Sequence, residues 1–266
     1  MISSLKELFS YRELLVSLAK KDLKVRYKNS ALGFLWSLLN PLLMMLILSF
    51  VFSLIVKFGI KDFPVFLLIG LLPWNYFNMA LGSATGAVIA NSGLVKKVYF
   101  PREILPMSAV LAELVNYLIA LCLLLIFLGF RGYLHPQFLP LLIIVIFLQT
   151  IITIGLAMFF AGINVYFRDI QYVLNVILMF MFYATPILYT IQMVENASYI
   201  RAHQWLLLLY KANPVTDLVV IYRGLLYEGV LPSWTYFAYI VGFAVVSFIG
   251  GYAVFRRLAP AFAEEM

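Results

Sequence analysis

The sequence predicts an all-α membrane protein, and three observations carry that prediction. Residues 31–56 contain no charged side chain, and a helix needs only ~20 apolar residues to cross a hydrocarbon core. Comparable apolar runs recur, so that six spans can be laid along the chain. Of the 266 residues, 64% are hydrophobic and 12% are charged, with a mean hydropathy of +1.00. Soluble domains carry about 25% charged residues, so a water-soluble protein is excluded. Residues 1–28 are mixed and basic and lack the apolar core and small-residue cleavage site of a signal peptide. Targeting is therefore expected to fall to the first span.

Each element can be justified in turn. Residues 1–30 read as a cytoplasmic amphipathic interface helix. At 100° per residue Tyr11, Leu14, Leu15, Leu18 and Val25 share one face, and Lys20, Lys24 and Lys28 line another at i, i+4 spacing. A six-helix membrane domain occupies residues 31–255, with spans at about 32–56, 63–90, 105–130, 138–165, 171–191 and 233–255. The connections are a short exit loop with Lys57, Lys61 and Asp62, a polar segment at about 91–104 with Lys96, Lys97, Arg102 and Glu103, a tight turn at 131–137, and the loop 166–170 with Arg168 and Asp169. Residues 256–266 form a cytoplasmic tail.

The stretch of about 192–232 is not a plain loop. Residues 205–210 and 215–227 are apolar and aromatic but too short for two crossings. Two re-entrant half-helices fit better than an amphipathic pair resting on the surface, because Asn213-Pro214 supplies a break between them. Placing the N-terminus in the cytoplasm puts thirteen Lys and Arg residues on inner segments and six on outer ones. The net charge of +7 is thus a positive-inside bias rather than a nucleic-acid footprint. Six spans then return the C-terminus to the cytoplasm.

The chain offers little catalytic chemistry. Its single cysteine, Cys122, lies in an apolar run and reads as a packing residue. His135 and His203 lack metal-like neighbours. No Gly-Lys-Ser/Thr of a Walker loop, no nucleophile–base arrangement and no Asp-X-Asp occurs. Any energy source is expected in another chain.

Polar residues instead recur on helical faces. Gly33, Trp36, Ser37, Asn40 and Met44 do so in the first span, and Tyr172, Asn175, Met179, Phe182, Tyr183 and Pro186 in the fifth. An amide facing lipid tails is costly, so such stripes face protein or water. Bulky aromatics accompany the amides here, and these two spans read as the lining of a conduit. The stripe Trp74, Asn75, Asn78, Gly82, Thr85 and Gly86 in the second span reads as helix packing. Glu113 and Asn116, one turn apart in the third span, are expected to bond polar or basic groups near the inner face, with Arg102 within two to three turns. Interfacial belts account for many of the seventeen Tyr and four Trp, and an aromatic wall with phenol groups also suits the stacking and hydrogen bonding of a sugar chain.

The stretch KKDLKVRYKNSALGFLWSLLNP, Lys20–Pro41, closely resembles the N-terminal signature of the permease subunits of type-2 ABC exporters of polysaccharides, which move O-antigen, capsule and teichoic acid. VYFPREILP at Val98–Pro106, VYFRDI at Val165–Ile170, ATPI at Ala184–Ile187 and Asn213-Pro214 are similar to further family pieces, in order along nearly the whole chain. The resemblance implies six spans, an N-terminal interface helix, two re-entrant helices, and a homodimer paired with two copies of a separate ATPase that binds ATP and Mg. No cofactor is implied in this chain. Val98, Tyr99, Phe100, Pro101, Arg102 and Glu103 would form the coupling element seated in the ATPase, with Arg168 and Asp169 as a second contact. Trp36, Asn40, Tyr172, Asn175, Phe182 and Tyr183 would line the substrate channel.

The implied function is ATP-driven export of a polyprenyl-diphosphate-linked glycan across the bacterial cytoplasmic membrane. The rivals are a lipid or drug exporter of the same superfamily, a membrane glycosyltransferase and a proton-coupled carrier. Scattered rather than clustered acids in the cytoplasmic loops disfavour the glycosyltransferase, and the lack of further buried acids or of inverted-repeat symmetry disfavours the carrier.

Overall fold

The computed structural model describes residues 10–28, 30, 32–56 and 59–265, and among them it is all-helical. The expected start of the interface helix, residues 1–9, and Lys57 in the exit loop lie outside the described residues. Helix α1 is Arg12–Tyr27. Helix α2, Trp36–Ser49, continues as a π-helical turn over Phe50–Val56. Helix α3 is Phe63–Ala90, the short α4 is Ser92–Lys97, α5 is Ile104–Arg131, α6 is Leu139–Tyr166 and α7 is Ile170–Tyr183. Three short helices follow: α8 (Ile191–Asn196), α9 (Ser198–Ala202) and α10 (Gln204–Lys211). Helix α11 is Pro214–Arg223, α12 is Trp234–Leu258, and a terminal turn, α13, is Phe262–Glu265.

Among the described residues, four helical stretches are long and apolar enough to cross a membrane, Phe63–Ala90, Ile104–Arg131, Pro136–Tyr166 and Trp234–Ala261. The protein is therefore a multi-pass membrane protein. The apolar helices at the first and fifth expected spans are shorter. Fourteen residues in α7 reach ~21 Å against a hydrocarbon core of ~30 Å. Sequence reading carried this span to residue 191, because Ile187 and Leu188 are apolar. The helix ends at Tyr183 because Pro186 disfavours helical geometry in the residue before it. The following turn is then held by side chains from elsewhere.

Helix α3 forms the centre of the bundle, with α2, α5, α6, α7 and α11 all packed against it. Its start is set by Pro64 in the first turn, where a missing N–H costs nothing. Asp62 precedes it in the left-handed region (φ 44°), which aspartate tolerates better than most residues. There it accepts hydrogen bonds from Tyr133 Oη (2.5 Å) and Arg131 Nη2 (3.2 Å). The carboxylate raises the Tyr133 phenol to a pKa of about 12. Tyr133 in turn stacks on Tyr227, which stands edge-on to Phe66 of α3. This end of the bundle, closed by aromatic rings, is the distal end.

Several polar side chains inside the bundle are matched to side chains or carbonyls of other helices, whereas, among the described residues, the buried hydroxyls of Tyr117 and Thr216 meet no acceptor or donor. Pro73 interrupts α3, and the carbonyl of Pro73 accepts from Gln149 Nε2 of α6 (2.8 Å). Gln149 Oε1 accepts from Tyr222 Oη of α11 (2.7 Å), and Tyr76 Oη donates to Thr150 Oγ1 (3.1 Å). Nearer the opposite, basal end, Asn164 Nδ2 bonds the Thr85 carbonyl and Gln171 Nε2 the Gly82 carbonyl, both at 3.0 Å. Each buried amide answers a group that hydrocarbon could not satisfy.

The region after α7 is more buried than a surface loop. Helix α11 is capped by Asn213, whose Oδ1 accepts from Val215 N (3.0 Å) while its Nδ2 donates to Thr185 Oγ1 (2.9 Å). Arg223, 5% exposed, bonds the carbonyls of Pro186, Tyr189 (3.2 Å) and Ile187 (2.7 Å) and lies over the Phe66 ring. The sequence reading counted Arg223 only as an outer cation. Helix α10 stays exposed along Trp205, Leu208 and Leu209. It is tied by the Lys211–Glu195 ion pair (2.8 Å), which raises the lysine pKa.

Two smaller expectations need correction. Helix α1 packs against α5 through Leu14, Leu15, Leu18 and Ala19, but Val25 on the same periodic face is 63% exposed. Burial is thus confined to the first half of the helix. Cys122 lies on an exposed face of α5 and is not a packing residue.

The longest helix–helix contact joins α6 and α12 through glycine. A Cβ on Gly251 would fall on the Gly155 carbonyl, and a Cβ on Gly155 would fall on the Ser247 backbone. Gly250, its neighbour, faces open space. Gly251→Ala is therefore expected to cost ~1–3 kcal/mol through overpacking. Gly250→Ala should be neutral or stabilising by up to ~1 kcal/mol through helix propensity. Thermal unfolding in detergent, read by size-exclusion profile, separates the two.

Candidate functional site

A cavity of about 720 Å³ opens between α2 and α7, with α3 and α5 behind it. It exists because α2 and α7 pack on α3 without closing on each other, leaving the outer faces of both helices exposed. Helix α2 contributes Trp36, Asn40 and Met44, successive residues at i, i+4 spacing. Helix α7 contributes Asn175, Met179, Phe182 and Tyr183. From α3 come Trp74, Asn75 and Asn78, and from α5 Glu113, Asn116 and Tyr117.

The wall is partly rigid. Trp74 and Phe182 approach at 5.8 Å between centroids, and Phe182 stands edge-on to Tyr183 at 5.2 Å. Tyr76 and Tyr117 stack at 5.1 Å and 9°, and Tyr76 is anchored on Thr150. Glu113, 4% exposed, accepts from Ser83 Oγ of α3 (3.2 Å) and from Asn116 Nδ2 (3.1 Å). The arrangement presents several amides, each both donor and acceptor, between aromatic faces. It can hold a polyhydroxylated chain by bonding and stacking. Among the described residues, nothing in it resembles a nucleophile with its base.

Five of the six residues expected to line a channel are brought together: Trp36, Asn40, Asn175, Phe182 and Tyr183. Tyr172 is not among them. It is 73% exposed near the basal end of α7 and does not line the cavity. The sequence reading gave Trp74, Asn75 and Asn78 to helix packing and Glu113 and Asn116 to the inner face, yet all five line the cavity. The available signal was the pairing of polar residues at i, i+3 on otherwise apolar helices. Glu113 does bond polar groups, as expected, but Arg102 is engaged elsewhere.

The residues expected to couple to an ATPase lie together at the basal end. Tyr99 is 88% exposed and Val98 is exposed beside it. Phe100 and Glu103 are buried, while Pro101 and Arg102 are half-buried. Arg168 and Asp169 are exposed, next to the exposed ring of Phe167. The segment therefore divides into anchors and presented side chains. Lys21 Nζ of α1 bonds Asn91 Oδ1 at the segment's start (2.7 Å).

The C-terminal turn joins both loops, which the sequence reading missed by treating it as a tail. Phe262 is fully buried, edge-on to Phe255 (5.3 Å) and Tyr166 (6.3 Å), with the Arg102 guanidinium 5.9 Å from its ring centroid. Arg102 also donates to the Ala259 carbonyl, and Tyr166 Oη to the Leu258 carbonyl (3.1 Å).

The sequence profile described as ABC-2 type transporter matches residues 13–227. The chain belongs to the ABC-2 type transporter family. Among its relatives, the O-antigen export system permease protein RfbA of Myxococcus xanthus is 35% identical over 266 residues, covering all of both chains. The protein of that name from Klebsiella pneumoniae is 36% identical over 260 residues, 95% of this chain and 94% of its own. The polysialic acid transport protein KpsM of Escherichia coli is 26% identical over 248 residues, 91% of this chain and 92% of its own. As an ABC-2 transporter chain this is a membrane transport subunit and not an enzyme.

Phe262→Ala is expected to cost ~3 kcal/mol where the ring is lost from the basal cluster. The effect should appear as a lower unfolding midpoint and new protease cleavage within residues 259–265. Glu264→Ala, at an exposed site, should change neither.

Proposed function

We propose that this ABC-2 transporter chain is the channel-forming permease of an ATP-driven polysaccharide exporter. The observation that carries the reading is the cavity of about 720 Å³ whose wall combines amides with Trp, Tyr and Phe rings. A lipid or drug exporter calls for a more apolar wall. The relatives named for O-antigen export and polysialic acid transport support the same substrate class.

On this reading the chain makes six crossings. Helix α2 with its π-helical extension supplies the first, and α7 with the turn held by Arg223 supplies the fifth. Helices α10 and α11 dip into the outer leaflet and return. The basic N-terminal segment, the coupling element and the C-terminal turn face the cytoplasm, in keeping with the distribution of Lys and Arg. The membrane is the bacterial cytoplasmic membrane.

Two copies form a homodimer. The exposed apolar faces of α2 and α7, including Leu46, Ile47, Val176 and Phe180, flank the cavity, and a second copy closing over them would complete a passage wide enough for a hydrated glycan. The substrate is a polyprenyl-diphosphate-linked glycan of the O-antigen, capsule or teichoic acid type, presented at the inner leaflet. Lys20 and Lys24 on α1, with Lys28 just beyond its end, would attract its diphosphate. Two copies of a separate ATPase, carrying ATP and Mg, take hold of Val98 and Tyr99 and of the loop with Arg168 and Asp169. Phe100, Glu103, Arg102 and Phe262 transmit the push to α5 and α12.

Two measurements test this. In cells supplying the partner ATPase, Trp36→Ala with Tyr183→Ala should lower surface glycan several-fold, with lipid-linked glycan accumulating inside and the membrane level of the protein unchanged. Unaltered flux would return these rings to simple packing. Tyr99→Ala should leave the permease inserted but separate ATP hydrolysis from export, and normal export would remove the coupling role.

A further inference from the structure

We propose that Arg223 is a positioning residue for the cavity: with its neighbour Tyr222 it holds two of the walls, α3 and α7, in register and so sets the gap between Trp74 and Phe182. The consequence for flux rests on the exporter reading; the geometry does not. Helix α7 stops inside the bundle, and a helix end leaves carbonyls without intrahelical partners. Arg223, 5% exposed, takes up the carbonyls of Pro186, Ile187 (2.7 Å) and Tyr189 (3.2 Å) from the turn that follows. Tyr189 Oη then donates back to the Tyr183 carbonyl (2.6 Å), and Asn213 at the start of α11 donates to Thr185 (2.9 Å). The two residues just before that turn, Phe182 and Tyr183, line the cavity.

The facing wall is held by the adjacent residue of α11. Tyr222 Oη donates to Gln149 Oε1 (2.7 Å), and Gln149 Nε2 donates to the carbonyl of Pro73 (2.8 Å), one residue before Trp74. Trp74 is 3% exposed and meets Phe182 at 5.8 Å between ring centroids. Consecutive residues of one short helix thus govern both rings. A guanidinium suits the task, because its planar fork of donors spans several carbonyls in a fixed orientation, which a lysine ammonium does not. Gly70 of α3 leaves it room, since a Cβ there would come within 3.1 Å of Arg223 Nη2. The Phe66 ring lies against its face, 3.4 Å from centroid to Cζ. Among the described residues, no Asp or Glu lies within ion-pairing distance of Arg223. Its hydrogen-bond partners are backbone carbonyls of the turn, so what it fixes is backbone position.

The test reads Trp74. With Trp36, Trp205 and Trp234 replaced by Phe, it is the only tryptophan of the chain. The full-length chain is placed in lipid nanodiscs and its emission is quenched with acrylamide, which gains access to the ring where the two walls part. Arg223→Lys is expected to raise the quenching constant at least three-fold. Tyr189→Phe, which removes one tether without altering charge, should raise it at least two-fold. Asn164→Ala, which frees the Thr85 carbonyl at the basal end, should lower the unfolding midpoint and leave the quenching unchanged. In chains otherwise unaltered and supplied with the partner ATPase in cells, Arg223→Lys and Tyr189→Phe should lower surface glycan several-fold at equal membrane level. Quenching that stays at its starting value in both variants overturns the proposal. So does an equal rise in Asn164→Ala, which would mark general loosening, and so does normal export by variants whose quenching has risen. If Arg223→Lys fails to reach the membrane, Tyr189→Phe decides. Raised quenching in a chain whose unaltered form exports no glycan keeps the positioning role and removes the exporter reading.

Discussion

Hydrocarbon offers a polar group no partner, and the rest of this structure follows from that constraint. Every amide, hydroxyl and broken backbone bond inside the bundle must be answered by protein or by a wet space. Two solutions are used side by side. Tyr222 donates to Gln149, which donates to the carbonyl of Pro73, and Tyr76 donates to Thr150, so donors meet acceptors. Asn40, Asn75, Asn78 and Asn175 are instead gathered on one cavity. Both sets contain amides on apolar helices. What separates them is whether a neighbouring helix packs close enough to supply the partner.

Close approach is decided by small residues. Gly155 and Gly251 let α6 and α12 touch along their backbones, which seals that side of the bundle. On the other side α2 and α7 carry Trp36, Met44, Met179 and Phe182 toward the cavity that lies between them. The bundle is therefore asymmetric by composition. The glycine side packs tightly, and the aromatic side stays open.

Much of this was legible in the chain. Helix α3 begins and ends where the pattern placed it, since Pro64 and the polar run after Ala90 are local signals. The stripe on α2 and most of the stripe on α7 also led to the cavity, because an amide beside an aromatic is conspicuous in an apolar span. The stripe on α3 was equally visible but was assigned to packing. Whether Asn75 meets a helix or a void depends on how far α2 stands from α7, and no local pattern encodes that distance. The early end of α7 was hidden for a related reason. Ile187 and Leu188 continue the apolar run while the carbonyls of Pro186, Ile187 and Tyr189 are held by Arg223, which lies more than thirty residues away. Val25 and Tyr172 fit their periodic faces, yet periodicity gives a direction and not a neighbour.

The two ends of the molecule are fastened in different ways, and the difference bears on how force could travel. At the basal end Phe262 receives Arg102 from one loop and Tyr166 from the other, so the two loops cannot move independently without exposing a fully buried ring. At the distal end Arg223 binds the turn after α7 to α11, and Tyr222 beside it reaches Gln149. A displacement of α5 at its base would be felt at Tyr117, which stacks on Tyr76 at the back of the cavity, and through Thr150 and Gln149 at α11. The path runs through hydrogen bonds and stacked rings whose geometry is discrete, so the bundle has few ways to yield gradually. A transporter worked from its base gains from such stiffness, because a soft interior would absorb the motion before it reached the far side.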